Sequence, residues 1–346
     1  MSQTSLSGRL LLDGELTPGT LVVSAGRIAR IERHDAPRTG ALPIVAPGLI
    51  DLHVHGYGGF APLEDLAGMA RALAAHGTTA FQPTLFPAAP ERLGQDAAAC
   101  TQAAERLAPG DGASVLGLHL EGPFVSPRAA GALPLADLAQ PSVAALRAIL
   151  GPATGDKRGV RTMTIAPELP GALELVAELT RCGVRASMGH STAADAEARA
   201  GARAGACGAT HLFNAMRGVH HRDVGLAGFA LLESALFAEL IGDLQHVGPR
   251  AVELALRLRG PEGLCLVSDA LRGAGTGCDV FHSHGRAHVI REGAAYYPPD
   301  AEHPTERLAG SATGQLEQVR RLVRAGVATL AEALTMASRT PADALG

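Results

Sequence analysis

Residues 48–54, GLIDLHV, form an apolar run that ends on His53 and Val54 and is followed at once by His55. A short, almost unbroken apolar stretch fits a strand buried on both faces, as in parallel sheets. Seven more such runs follow: TAFQPTLF (79–86), SVLGLHLE (114–121), VRTMTIAPE (160–168), VRASMGH (184–190), GATHLF (208–213), LFAELIGD (236–243) and LCLVSDA (264–270). Ala- and Leu-rich amphipathic stretches lie between several of them, such as EDLAGMARALAAHG (64–77), PELPGALELVAELTRCG (167–183) and TAADAEARAGARAG (192–205). Each closes on a glycine, the expected helix C-cap. Eight strands alternating with helices predict an α/β chain folded as a (β/α)8 TIM-like barrel over residues 46–346. A doubly wound open sheet is the competing architecture.

The first forty-five residues read differently. GRLLLDGELTPGTLVVSAGRIARIER (8–33) alternates apolar and polar residues between Gly, Pro and Asp turns, the pattern of short antiparallel strands. Residues 1–45 are therefore expected to form a small β accessory domain. Gly273 to Arg307 breaks the strand-helix rhythm and is rich in Gly, His and Pro, which suits an excursion over the barrel mouth. Two short helices, in TGQLEQVRRLVRAG (313–326) and TLAEALTMAS (329–338), are expected to close the chain.

Composition narrows the function classes. The chain has 346 residues, 47% hydrophobic and 18% charged, the profile of an ordinary globular protein. A net charge of −4 lacks the concentrated basic face that nucleic-acid binding needs. No apolar stretch approaches the roughly 20 residues needed to span a bilayer, and no segment has the layout of a signal peptide. The cysteines at 100, 182, 207, 265 and 278 show no C-x-x-C spacing and read as free thiols in a reducing compartment, so the cytoplasm is the expected location.

The polar residues fall where barrel chemistry occurs. His53 and His55 end the first strand with i, i+2 spacing, so both point to one side. Glu121 ends the third strand, His190 the fifth, His211 the sixth and Asp269 the eighth. One histidine at a strand end is more often a hydrogen-bonded structural residue than a ligand, and a lone carboxylate there often caps the next helix. Four imidazoles and two carboxylates on one rim are harder to explain that way. Neutral nitrogen plus carboxylate oxygen suits Zn²⁺ or Fe²⁺ better than Mg²⁺.

At these residues the chain resembles the amidohydrolase superfamily and, within it, the N-acetylglucosamine-6-phosphate deacetylases. The resemblance runs in order through APGLIDLHVHGYGG (46–59), LHLEGPFVSPRAAG (118–131), SMGHSTA (187–193), ATHLFNAMRGVHHRDVGLAGFAL (209–231), GDLQHV (242–247), LCLVSDA (264–270) and LAGSA (308–312). It implies a metal-dependent release of acetate from a phosphorylated N-acetyl amino sugar. By position, Glu121, His190 and His211 hold one divalent metal, and His53 and His55 can add a second bridged through Glu121. Asp269 is the implied catalytic acid and base. Asn214 and the backbone at Ala215 are implied to bind the phosphate, and His246 the sugar. Arg222 matches an arginine that reaches the neighbouring subunit's phosphate, which implies a homodimer. The resemblance further implies a β-sandwich accessory domain, to which this chain, ending at Gly346, contributes only the N-terminal strands.

Two departures qualify the resemblance, and the single lysine bears on which branch it is. Gly131, Ala132 and Leu133 stand where the family usually reads Gly-x-His, so a substrate-contacting imidazole is missing or comes from His220 or His221. AAYYPPDAEHPTER (294–307) looks longer than usual before LAGSA. Lys157, the only lysine, precedes the fourth strand and cannot be the carboxylated lysine that bridges two metals in other amidohydrolases. Readings kept open are an N-acetylgalactosamine 6-phosphate deacetylase, a non-catalytic sugar-phosphate-binding homologue, and a nucleobase deaminase, the last disfavoured by LEGPF and THLFNAM.

Overall fold

The computed structural model describes residues 3–35, 41–151, 159–283, 285–300 and 304–346. The chain begins with β1 (Gln3–Leu12), β2 (Glu15–Ser24), β3 (Arg27–Arg33) and β4 (Ile44–Val45), which form one sheet in the order β3-β2-β1-β4. The first three are antiparallel and β4 runs parallel to β1. Leu12 pairs with Glu15 across a two-residue turn, in which Asp13 and Gly14 have φ of 51° and 81°. Positive φ at both central residues gives the turn that matches strand twist, and an Asp-Gly pair adopts it at little cost.

The barrel strands are β5 (Leu49–Val54), β6 (Thr78–Leu85), β8 (Leu118–Leu120), β9 (Val160–Ile165), β10 (Arg185–Met188), β11 (Gly208–Ala209), β12 (Phe237–Ile241) and β13 (Leu264–Val267), with a short β7 (Ser114–Val115) beside β6. All pair in parallel, in sequence order. The ring is drawn closed at the rim. Asp269 N–H donates to the His53 carbonyl at 2.8 Å, and His55 N–H to that of Ala270 at 2.9 Å. The helices α1 (Pro62–Ala75), α2 (Pro90–Glu105), α3 (Val143–Leu150), α4 (Ala172–Arg181), α5 (Asp195–Ala204), α6 (Gly225–Leu232) and α7 (Pro249–Arg259) follow the strands. Gly205, in the left-handed conformation at φ 117°, ends α5 as its C-cap.

The outward residues of the strands, including Phe81, Leu118, Leu120, Met163, Ile165, Ala186 and Met188, belong to one buried apolar cluster with Leu73, Leu93, Leu146, Leu175 and Leu179 of the helices. The interior is polar. His119 Nε2 lies 2.8 Å from Thr164 Oγ1, which is 2.9 Å from Thr210 Oγ1, and Thr210 donates to Ser187 Oγ at 2.8 Å. His119, Thr164, Ser187 and Thr210 sit on or next to four consecutive strands, β8 to β11, so these bonds tie one side of the barrel together from within. Hydrogen-bonded side chains stand on these strands in place of branched apolar residues, while Leu52, Ile241, Cys265 and Val267 form a separate buried apolar cluster.

The excursion after β13 is a regular structure: β14 (Val280–Ser283), β15 (Arg286–Arg291), β16 (Ala294–Tyr297) and β17 (Arg307–Ser311) make an antiparallel sheet in that order. Three helices end the described chain, α8 (Gln315–Arg324), α9 (Leu330–Ala337) and α10 (Arg339–Leu345), one more than the periodicity indicated. Lys157 lies outside the described residues.

Candidate metal centre

The strand ends bring the rim residues together. Glu121, two residues before Pro123 and just past β8, is 4% exposed and stands at the middle of the group. Its Oε1 lies 3.0 Å from His190 Nε2, 3.1 Å from His211 Nε2 and 3.5 Å from His53 Nε2. Its Oε2 lies 3.2 Å from His55 Nε2. Asp269 Oδ1 reaches 3.5 Å from His53 Nε2 and 3.6 Å from His55 Nε2. Three sets have their ligand atoms within 4.8 Å of one another: Glu121 with His190 and His211, Asp269 with His53 and His55, and, behind these, His53 with His119 and Glu239. Glu121 touches the first two.

The proton positions show what these groups lack. His190 Nδ1 sits 2.9 Å from the Ala129 carbonyl, which can only accept, so that nitrogen carries the proton. A neutral His190 then aims the lone pair of Nε2 at a carboxylate oxygen 3.0 Å away. His53 is held in the same way, with Nδ1 2.9 Å from Glu239 Oε2 and Nε2 turned to Glu121, Asp269 and His55. Lone pairs facing lone pairs at such distances repel unless a cation lies among them. A carboxylate or carbonyl behind each imidazole is the arrangement that orients metal-binding histidines. Nδ1 of His55 and of His211 is buried without a hydrogen-bond partner, so both rings are held from the Nε2 side. The donor set fits one or two divalent cations.

The charges agree. Burial alone would raise the Glu121 pKa, yet His190, then His211 and His53, hold it well below the ordinary carboxylate range. Burial opposes charge on His53, but Asp269, Glu239 and Glu121 outweigh it and raise its pKa. His119, buried against the His53 ring, is pushed down to about 4 and stays neutral.

His190, His211 and Asp269 have φ of 45°, 31° and 48°. Side chains other than glycine rarely adopt this left-handed region, at roughly 1–3 kcal/mol each, and such strain gathers at functional sites. Phe213, Ala215 and Leu244 share it, at 77°, 47° and 63°.

A cavity of about 170 Å³ opens over the carboxylates, with Asn214, Ala215, His246, Leu133 and Leu308–Gly310 among its walls. Leu133 is 6% exposed, so the wall is apolar where an imidazole was expected. His220, His221 and Arg222 do not line this cavity. All three are exposed, and Arg222 Nη1 lies 2.8 Å from His221 Nε2. Within one chain, neither histidine replaces the missing imidazole.

Three residues at the site escaped the sequence reading: Glu239 behind His53, His119 beneath it, and Asp243 behind His246. Asp243 Oδ2 is 2.7 Å from His246 Nδ1, while its Oδ1 accepts from the N–H groups of Gln245 and His246, each at 2.9 Å. For Glu239 and Asp243 the signal was present in LFAELIGD, where two carboxylates interrupt an apolar run, since buried charge needs a partner.

The Asp243–His246 pair yields a pH prediction. Burial lowers the His246 pKa, but Asp243 raises it above the ordinary 6.5. Burial raises the Asp243 pKa, but His246 and the two N–H groups bring it below 3.8. The His246 contribution is full below its unfolded pKa and fades as pH rises through its raised folded value. The Asp243 contribution is present above its unfolded pKa and is lost as pH falls through its depressed folded value. The pair is thus strongest between about pH 4 and 6.5. The Tm gap between the wild type and His246→Gln should be widest there and shrink by about 2 °C towards pH 9. A gap constant across that range in thermal melts would remove the charge on His246 from the account.

Comparison with known proteins agrees with this geometry. The pattern of the Amidohydrolase family matches residues 44–346. An N-acetylglucosamine-6-phosphate deacetylase from Lysinibacillus sphaericus is 34% identical over 333 residues, covering 92% of this chain and 82% of that protein. An N-acetylgalactosamine-6-phosphate deacetylase from Escherichia coli O157:H7 is 32% identical over 352 residues, covering 100% of this chain and 90% of the relative. Among solved structures, a mutant N-acetyl-D-glucosamine-6-phosphate deacetylase from Mycobacterium smegmatis, in complex with N-acetyl-D-glucosamine-6-phosphate, superposes with a TM-score of 0.85 at 30% identity. That likeness covers 100% of this chain and 91% of the other. The chain therefore belongs to the amidohydrolase family and, within it, to the branch of the N-acetylglucosamine-6-phosphate deacetylases.

Proposed function

We propose that this protein hydrolyses the N-acetyl group of N-acetylglucosamine 6-phosphate, giving glucosamine 6-phosphate and acetate. The observation that carries the reading is Glu121, in contact with His53, His55, His190 and His211 beneath a pocket that Asp269, Asn214 and His246 also line. Glu121, His190 and His211 would hold one cation, and His53 and His55 a second. The N/O donor set favours Zn²⁺ or Fe²⁺. When bound there, a divalent cation would supply a water of near-neutral pKa and polarisation of the amide carbonyl.

The remaining work falls to side chains. Asp269, 13% exposed at the pocket, takes the proton from the attacking water and returns it to the departing nitrogen. An amine cannot leave as an anion, so this return is required. Asn214 and the backbone at Ala215 hold the phosphate, and Arg222 from a neighbouring subunit completes that grip in a homodimer. His246, fixed by Asp243, orients the sugar. Binding energy from the phosphate keeps the amide placed for attack. We further assign residues 1–45 to the accessory domain and residues 46–346 to the hydrolase barrel. A cytoplasmic location is supported by the free state of all five cysteines. No helix among the described residues is long and apolar enough to cross a membrane.

N-acetylgalactosamine 6-phosphate is the second reading, favoured by Leu133 in the pocket wall and by the relative with that activity. Elemental analysis of the purified protein, with acetate release measured on both sugar phosphates, tests the proposal. We expect one to two divalent ions per chain and turnover of the glucosamine compound. A metal-free protein with no acetate release would leave only a sugar-phosphate-binding role.

A further inference from the structure

The pocket over Glu121 has a neighbour. A second cavity of about 280 Å³ lies beside it, and Phe86, Ala132 and Ala309 line both. Phe86 directly follows β6 and stacks on His55 at 3.8 Å, Ala132 lies beyond β8, and Ala309 belongs to β17. The far wall is polar, built from Ser283 on β14, Arg286 and His288 on β15, Tyr297 on β16 and Asp137, with Leu271 just past β13. Three apolar side chains, two of them alanines, thus mark the boundary between the cavities.

The ring geometry says which part of a ligand meets this boundary. Counting barrel strands in order, β6 is the second and β11 the sixth, so they stand opposite each other across a ring of eight. Asn214 and Ala215 follow the sixth strand and Phe86 the second. In a 2-acylamino hexose 6-phosphate, C2 and C5 face each other across the sugar ring, which places the amide and the phosphate at opposite ends. With the phosphate at Asn214 and Ala215 and the amide over Glu121 and Asp269, the acyl carbons continue towards Phe86.

We propose that the second cavity is an acyl subsite, and that the substrate class extends to hexosamine 6-phosphates bearing N-acyl chains longer than acetyl. The inference rests on the deacetylase reading above. The chemistry of the boundary matches it: Phe86, Ala132 and Ala309 offer no hydrogen bond from their side chains, and Leu133 beside them is apolar and buried. An alkyl chain crossing there gives up water without stranding a polar group.

The test compares kcat/KM of the metal-loaded enzyme on N-acetyl-, N-butanoyl- and N-hexanoylglucosamine 6-phosphate, following release of the free amine. The butanoyl compound is expected to match or exceed the acetyl one, with up to about a fourfold gain for each methylene that becomes buried. Ser283→Trp fills the second cavity from the wall remote from Glu121. It is expected to lower hexanoyl turnover by more than about tenfold while acetyl turnover stays within about twofold. Normal acetyl turnover with butanoyl and hexanoyl each reduced by more than about tenfold in the wild type overturns the subsite alone, whether or not the variant folds. A folded Ser283→Trp protein with unchanged hexanoyl turnover does the same. Failure to hydrolyse any of the three compounds overturns the deacetylase reading, and the subsite with it.

Discussion

Asp269→Asn is expected to lower kcat by about 10³- to 10⁴-fold while the cation held by Glu121, His190 and His211 stays bound. Asparagine keeps the size of the side chain and can still sit 3.5 Å from His53 Nε2. It cannot take up a proton. Amide hydrolysis needs a proton removed from water and a proton delivered to nitrogen, and one carboxylate serves both ends of that transfer. Asp269 is suited to this because it is the more open carboxylate of the site, with 13% of its side chain exposed against 5% for Glu121. Steady-state kinetics together with metal analysis check the prediction. Near-normal kcat would remove Asp269 from proton transfer. Loss of metal from the set around Glu121 would make it a structural support.

Glu121→Gln should have a different signature, in which metal and activity disappear together. Four Nε2 atoms surround this one carboxylate, and Nε2 of His190 lies 3.0 Å from Nε2 of His211. The His53 and His55 Nε2 atoms are 3.2 Å apart. With the negative charge gone, nothing central offsets a dication, and the neutral amide offers one weaker oxygen in place of two. Bound metal after dialysis is expected to fall to less than about a tenth of the wild-type value, with kcat/KM down by about 10⁴-fold. Thermal melts give an independent readout. A cation at a thousand times its Kd stabilises the folded wild type by about 4 kcal/mol, so added metal should raise its Tm and leave that of Glu121→Gln nearly unchanged. If the variant retained stoichiometric metal, the central place given to Glu121 would be wrong.

The two substitutions separate because the proposed roles differ: Glu121 is central to the ligand cluster, whereas Asp269 stands at its edge beside the pocket. Asp243 and Glu239 lie behind both, fixing His246 and His53 from the side away from the pocket. Both come from β12 or the turn after it, so one strand end orients two imidazoles.

Much of this was readable along the chain. The barrel was, because an apolar run closed by a polar residue and followed by an amphipathic stretch is a local pattern, repeated from Leu49 to Asp269. The rim residues were, because strand ends in a barrel share one mouth whatever the loops do. His53, His55, Glu121, His190, His211 and Asp269 could be picked out by position alone, and the structure brings all six together.

What the chain could not reveal depends on which residues meet inside the ring. Thr164 and Thr210, or His53 and Glu239, are distant in sequence, and their hydrogen bonds exist only once the barrel closes. Runs such as VRTMTI read as uniformly buried, although half of their side chains pack under helices and the other half form the polar interior. The sheet from β14 to β17 was hidden in a Gly-, His- and Pro-rich stretch, because antiparallel pairing shows in register and not in composition. The positive φ at His190, His211 and Asp269 was equally invisible, since the surrounding contacts impose it against local preference. Local periodicity thus determined the barrel strands and the order of their ends around the rim. Closure of the ring decided the partners, because only there do distant side chains share one space from which water is largely excluded.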